Sequence, residues 1–349
     1  MAVITSAPVD SARLPGWVAP VAILIAAFGI VPHLGSSYLI EAIMMPFLAL
    51  SLAGVGLNLL TGYAGQVSLG SAAFMAVGAF AAFNFNLRAE GLPLIVSILL
   101  AGGVAAAVGI VFGLPSLRLR GFYLAVSTLA AQFFVQWALT KFGWFSNDNP
   151  SGVIDAPALS ILGIPFAGSL GRYYFALIVV TALTFLAWRV ATSQTGRNFI
   201  AVRDNETAAK FIGVPVLRTK LLAFALSSFI IGVAGVLWAF AYLRTVEPAG
   251  FNLDRSFQIL FIVIIGGLAT IRGAFLGAAL IVIFPVVLSR AGTFLLGDVF
   301  DSGVLDMSQR IVLGALIIAF LILEPDGLAA LGRRLWSRIR TRNGSLSEA

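Results

Sequence analysis

Catalysis and energy transduction need nucleophiles, acid–base pairs, metal ligands or phosphate cradles at usable spacing, and this chain is poor in all of them. It has no cysteine and one histidine, His33, so neither a thiolate site nor a histidine cluster can form. Its lysines, Lys141, Lys210 and Lys220, stand outside any G-x-x-x-x-G-K-[ST] run, so the chain does not cradle ATP in a P-loop. No paired buried carboxylates, His-based triad or metal-ligand cluster can be assembled. The acids that touch apolar stretches, Glu41 and Glu324, lie near their ends, which argues against a buried proton relay. A sodium site built from carbonyls and hydroxyls would need no acid. The expectation is a chain with no catalytic residue, no metal and no cofactor of its own.

The polar chemistry that remains is carried by amides and hydroxyls set into apolar sequence. Asn58 to Phe80 reads NLLTGYAGQVSLGSAAFMAVGAF, where Asn58, Thr61, Tyr63, Gln66, Ser68 and Ser71 interrupt otherwise apolar residues. Polar groups at membrane depth must be satisfied by protein or by a water-filled cavity. These residues are therefore either a bend facing a translocation path or an ordinary turn between two spans. Thr128, Gln132 and Gln136 recur at four-residue spacing and share one helical face. Such a stripe either lines a path for a polar solute or hydrogen-bonds a neighbouring helix. Gly266, Gly267, Gly273 and Gly277 surround a tight turn at Arg272, and the last two form a small-xxx-small pair. They are packing residues first and hinges second.

The elements that position these groups follow from composition. Hydrophobic residues make up 60% of the 349 residues and charged residues 11%, which excludes an ordinary soluble domain. The expected fold is an all-α integral membrane protein with about ten spans, at 18 to 34, 38 to 60, 68 to 86, 92 to 115, 121 to 141, 173 to 191, 219 to 243, 256 to 271, 274 to 291 and 309 to 324. Residues 1 to 17 form a cytoplasmic lead-in to a retained first span, 18 to 324 the membrane domain, and 325 to 349 a basic tail. In that tail GRRLWSRIR, Gly332 to Arg340, lies along an anionic leaflet or meets a cytoplasmic partner. With both termini inside, the inner segments hold fourteen Lys or Arg and the outer ones four, Arg88, Arg172, Arg244 and Arg255. The net charge of +7 is thus a matter of topology, not of a nucleic-acid partner. The outer side also holds the acidic trio Asp298, Asp301 and Asp306. It includes the longest outer connection, 142 to 172, which begins with Asn147, Asp148, Asn149, Pro150 and Ser151. That loop either contacts an extracytoplasmic solute receptor or covers the bundle.

One charged break, about 192 to 218, falls on the cytoplasmic side. Asp204 or Asn205 can cap a short helix whose first turn holds Glu206, suited to the positive helix end. Gly213 and Pro215 then supply a left-handed cap and a stop. A capped helix with small residues such as Ala208 and Ala209 on one side fits a groove on a cytoplasmic partner, although any cytoplasmic loop can carry a short helix.

Four stretches, LNLLTGYAGQVSLGSAAF at Leu57 to Phe74, LRLRGFYLAVSTL at Leu117 to Leu129, RDNETAAKFIGVPVLRTKLLAFALS at Arg203 to Ser227 and ILFIVIIGGLATIRGAFLGAAL at Ile259 to Leu280, together resemble the LivM-type permeases of branched-chain amino acid ABC importers. The resemblance covers about residues 40 to 330. It implies a multi-pass subunit of the bacterial inner membrane that works with a LivH-type second permease, two cytoplasmic ATPases holding ATP and Mg, and a periplasmic solute-binding protein. It implies that Arg203, Asp204, Glu206, Ala208, Ala209 and Gly213 form the region that couples to the ATPases. The chain departs from the pattern at Ser71, where a larger polar residue, often His, is expected, and at Phe122, where an acid is common. Members of this superfamily also carry urea, short amides, aromatic acids or sugars. The competing class is a gradient-driven secondary transporter or channel, distinguished by solute movement with this chain alone.

Overall fold

The computed structural model describes residues 25 to 296 apart from positions 35, 90, 120, 150–152, 158–159, 162–163 and 166–167, together with scattered positions between 311 and 330. Its main helices are α1 (Leu39–Tyr63), α2 (Ser71–Arg88), α3 (Leu94–Gly113), α4 (Phe122–Lys141), α5 (Gly168–Thr192), α6 (Gln194–Asp204), α7 (Glu206–Phe211), α8 (Val216–Leu243), α9 (Leu253–Gly266) and α10 (Ile271–Leu296). A hydrocarbon core of about 30 Å needs about 20 apolar residues in helix. Seven segments of the described residues meet that demand: α1, α3, α4, α5, α8, Pro248–Gly266 and Ile271–Arg290. The chain is a multi-pass membrane protein.

Three of the ten expected spans are not among these seven. The first is described only from residue 25, more than half of the last, 309 to 324, lies outside the described residues, and the acidic trio and the stretch Gly332 to Arg340 lie wholly outside them. The third, 68 to 86, is the helix α2. Asn84, Asn86 and Arg88 make it less apolar than the others, and the bundle tolerates them because other helices enclose most of α2. The break at 61 to 67 also differs from a simple turn, because α1 continues through Tyr63 in wide π-type turns before the chain bends at Ala64. The expected span 256 to 271 is a 14-residue helix preceded by a 3₁₀ turn, Pro248–Phe251, so the membrane segment there is broken.

At one end of the bundle, β1 (Ile154–Asp155) pairs antiparallel with Thr245–Val246, which ties the long loop to the end of α8. Nearby Arg172 donates to Glu41 at 2.5 Å and to the Ala241 carbonyl at 3.1 Å. At the centre α8 packs on α1, α2 and α3. Hydrophobicity does not drive helices together in lipid, so close approach of small residues must. At the α2–α8 crossing a Cβ on Gly78 would stand 2.1 Å from the Gly232 carbonyl oxygen, and one on Gly235 would stand 2.0 Å from that of Met75.

Gly78→Val should therefore lower the melting temperature of the detergent-solubilised protein, since such overpacking costs about 1–3 kcal/mol. Gly103→Ala, on the exposed face of α3 with nothing within 4 Å of the new methyl, should be neutral or slightly stabilising. Equal melting temperatures for the two variants would contradict the close-approach reading.

Candidate functional site

Two polar regions stand out against the apolar bundle, one at a helix-breaking bend inside it and one at its edge. The bend follows α1. Thr61 Oγ1 donates to the Gln66 carbonyl at 3.2 Å, Gln66 Nε2 donates to the Ala64 carbonyl, and Ser68 Oγ accepts the Gly70 N–H. Beyond it the first N–H groups of α2 lack intrahelical partners, as at any helix start. Side chains from other elements take them: Ser256 Oγ accepts from Ala72 at 2.9 Å and Gln132 Oε1 from Ala73 at 2.6 Å. Just before them, Thr128 Oγ1 accepts the Leu69 N–H at 2.9 Å.

Gln132 is the centre of this network. Its Oε1 also accepts from the Ser256 hydroxyl, and its Nε2 donates to the Phe251 carbonyl at 2.9 Å. Since Gln132 stands ten residues into α4, about 15 Å along that helix, α2 and α9 both begin well inside the bundle. Asn58, Gln66, Ser68, Ser71, Thr128 and Gln132 are all buried, and Thr61 and Gln136 are half-buried. Among the described residues the buried Ser71 Oγ has no hydrogen-bond partner.

The four glycines sit where α9 turns into α10. A Cβ on Gly266 would meet the Gly273 carbonyl oxygen at 2.0 Å, and one on Gly277 that of Ile262 at 2.0 Å. Gly267 adopts a φ of 115°, in the region open to glycine. The turn is pinned by Asn58, whose Nδ2 donates to the Thr270 carbonyl at 2.8 Å and to that of Gly267 at 3.4 Å. Its Oδ1 accepts the Ala269 N–H at 2.8 Å.

The edge region is the helix pair α6–α7. Ser193 caps α6 through the Thr195 N–H, and Asn205 caps α7 by accepting from Thr207 and Ala208 at 2.9 and 3.0 Å. Of the two residues that sequence offered as cap, Asn205 performs the role. Asp204 instead closes α6 and pairs with Arg203 at 2.9 Å. Gly213 has a φ of 84°, and its N–H bonds back to Lys210. Val202, Ala209 and Val216 make a small local core, while Ala208 is exposed. At the tip Phe211 and Ile212 are 87% and 74% exposed.

Two tethers fix this pair to the bundle. Glu206 pairs with Lys220 of α8 at 2.5 Å, and Lys220 is only 2% exposed. Arg203 Nη1 donates to the Gly62 carbonyl at 3.0 Å, with its side chain against Gly65, whose φ is 68°. Sequence reasoning counted Lys220 as a topological charge and missed both it and Ser256 as site residues. The 14-residue separation of Glu206 and Lys220 carries no helical signal across a break.

The arrangement anchors elements to one another. Among the described residues no group of three or more His, Cys, Asp or Glu could hold a metal ion. Over residues 39–321 the chain matches the family described as branched-chain amino acid transport system, permease component. It is 30% identical over 303 residues to the high-affinity branched-chain amino acid transport system permease protein LivM of Salmonella typhimurium, covering 80% of this chain and 67% of that protein. Against the Escherichia coli K12 protein of the same name the figures are 29%, 84% and 69%. An autoinducer 2 import system permease protein, LsrC of an Enterobacter species, is 30% identical over 268 residues, covering 73% of this chain and 74% of that one. No solved structure matches.

Removing one partner of a buried ion pair strands the other charge, at a cost of about 3–5 kcal/mol, whereas replacing both is often neutral. Glu206→Gln should therefore lower the melting temperature clearly, and the double variant Glu206→Gln with Lys220→Met should recover most of the loss. A double variant as unstable as the single one would contradict the pairing.

Proposed function

The chain belongs to the family of branched-chain amino acid transport permease components, and from that membership we propose that it is one membrane half of an ATP-driven importer of branched-chain amino acids. It works in the bacterial inner membrane beside a LivH-type second permease. Two cytoplasmic ATPases hold the ATP and Mg, and a periplasmic binding protein delivers the solute. The observation that carries the coupling is the tip of α7. Phe211 and Ile212 project from a short helix that is capped, ion-paired and packed, and a rigid apolar knob of this kind suits a groove on a partner. Both termini and this tip lie on the cytoplasmic side, in keeping with the excess of basic residues in those segments.

In this reading Arg203, Asp204, Glu206, Ala208, Ala209 and Gly213 form the coupling region. ATP-driven movement of the partner subunits displaces α6–α7, and the flanking spans α5 and α8 reorient a central path by alternating access. Arg203 carries the displacement to the Gly62 carbonyl at the bend, and the path itself runs past Asn58, Thr61, Gln66, Ser68, Ser71, Thr128, Gln132 and Gln136. Gly266, Gly267, Gly273 and Gly277 let the α9–α10 turn pivot. A second cargo class, favoured by the 30% identity to an autoinducer 2 permease, is separated from the first by uptake competition between leucine and neutral solutes.

The test is gentle affinity purification of the chain from its native membrane, with partners identified by mass spectrometry and leucine uptake measured in proteoliposomes. Two ATPase chains and a second permease are expected in stoichiometric amounts. The double variant Phe211→Ser with Ile212→Ser should reach the membrane at the normal level and yet lose at least tenfold in recovered ATPase and in uptake. Recovery of the chain by itself, with solute moving under an ion gradient, would sink the importer reading.

A further inference from the structure

The first turn of α9 is polar where a membrane segment should not be. Asn252 and Asp254 are exposed and Arg255 is partly exposed. Yet residues on either side, Phe251 and Ser256, are both bonded to Gln132, ten residues from one end of α4 and nine from the other. About 14–15 Å of helix separates that level from each end of α4. The start of α9 therefore lies within the bundle, not in the outer loop to which the sequence assigned Arg255, and the guanidinium lies over Trp238, five residues before the end of α8. A charged side chain at such depth faces a bundle interior or a water-filled path rather than lipid.

Arg255 is also held in place. Its guanidinium carbon lies 4.0 Å from the centroid of the Trp238 ring, and Nη1 donates to Gln258 Oε1. Trp238 itself sits in the wide π-helical turn Leu237–Leu243, a local widening common at functional sites. This stacked pair is rich in donors and short of acceptors. Arg255 Nε and Trp238 Nε1 are both buried without a hydrogen-bond partner among the described residues, and no carboxylate pairs with Arg255 there. A planar pair of anionic oxygens would complete it, because the guanidinium fork matches a carboxylate in two parallel bonds. The positive end of α9 favours the same charge.

We propose that Arg255, stacked on Trp238 and steered by Gln258, receives the carboxylate of the transported amino acid on the translocation path. The proposal rests on the importer reading above. Adjacent Asp254 gives the exposed turn both signs of charge, which suits a zwitterion with its ammonium and carboxylate better than a lone acidic side chain from a neighbouring subunit. Gln258 is a positioning residue, and the Arg255 guanidinium and the Trp238 N–H are the groups that touch solute.

The importer, isolated with its co-purifying partners and reconstituted in proteoliposomes with its binding protein, is assayed for uptake of radiolabelled leucine. Arg255→Gln should cut uptake at least tenfold while the complex is recovered in normal amount and composition. Arg255→Lys keeps the charge without the fork and should retain an intermediate rate. Trp238→Phe keeps the stack without the N–H and should also fall between wild type and Arg255→Gln. Leucine uptake by Arg255→Gln within twofold of wild type overturns the proposal and leaves the importer reading standing. Loss of the second permease from the Arg255→Gln preparation shows that the guanidinium serves that subunit, and likewise overturns it. A wild-type importer that moves other solutes but no amino acid overturns both the proposal and the branched-chain cargo, and leaves ATP-driven import standing.

Discussion

Everything in this bundle depends on satisfying backbone groups where water is absent. An unbroken helix bonds its own N–H and C=O groups, but α2 and α9 start inside the protein and leave their first donors open. Asn252 Oδ1 takes the Arg255 N–H of α9, and a single side chain, Gln132, ties the two helix starts together. The Gln132 oxygen takes the Ala73 N–H and the Ser256 hydroxyl, and its nitrogen gives to the Phe251 carbonyl. Ser256 in turn accepts from Ala72. Three elements distant in sequence thus meet at a single amide, and none can shift alone without exposing a polar group to hydrocarbon. That interdependence is what permits a broken, polar interior in a protein that is otherwise apolar.

The same logic makes the α6–α7 pair a stiff attachment. A surface ion pair would fix little, because solvent competes and the side chains keep their freedom. The Lys220 ammonium is buried, so Glu206 must stay beside it, and α7 is thereby tied to the start of α8. Arg203 adds a second point on the Gly62 carbonyl, and the Val202, Ala209 and Val216 core a third. A knob held at three points transmits displacement, whereas one held at a single flexible point would absorb it.

Much of this was legible in the sequence where the signal is local. Apolar run length gave seven of the spans, and capping chemistry gave the helix start near Asn205 and the left-handed Gly213. The stripe of Thr128 and Gln132 was visible as a stripe, but its partners were not, since Leu69, Ala73, Phe251 and Ser256 are separated from it by 59 to 124 residues. The Arg172–Glu41 pair spans 131 positions and leaves no periodic trace. Arg255 was misplaced for a physical reason. Hydropathy treats a charge as the mark of a loop, and it cannot register that a 3₁₀ turn carries the chain back inside before the helix begins.

The two polar regions join at the Gly62 carbonyl. Arg203 holds the Gly62 carbonyl, and Gly62 packs against Asn58 and Ala269 so closely that a Cβ there would lie 2.0 Å from Asn58 Oδ1 and 2.3 Å from the Ala269 nitrogen. Asn58 pins the turn from Gly267 to Thr270, and that turn terminates α9. The opposite end of α9 bears Arg255. A continuous series of tight contacts therefore runs from the α6–α7 pair to the first turn of α9, and α9, only 14 residues long, behaves as a rigid rod between them. Gly267, with φ at 115°, ends α9 in a conformation open to glycine. In the importer proposed above, motion imposed at α7 would arrive at Arg255 as a change in the direction its guanidinium faces, so the proposed coupling contact and the proposed solute contact would be two ends of one lever.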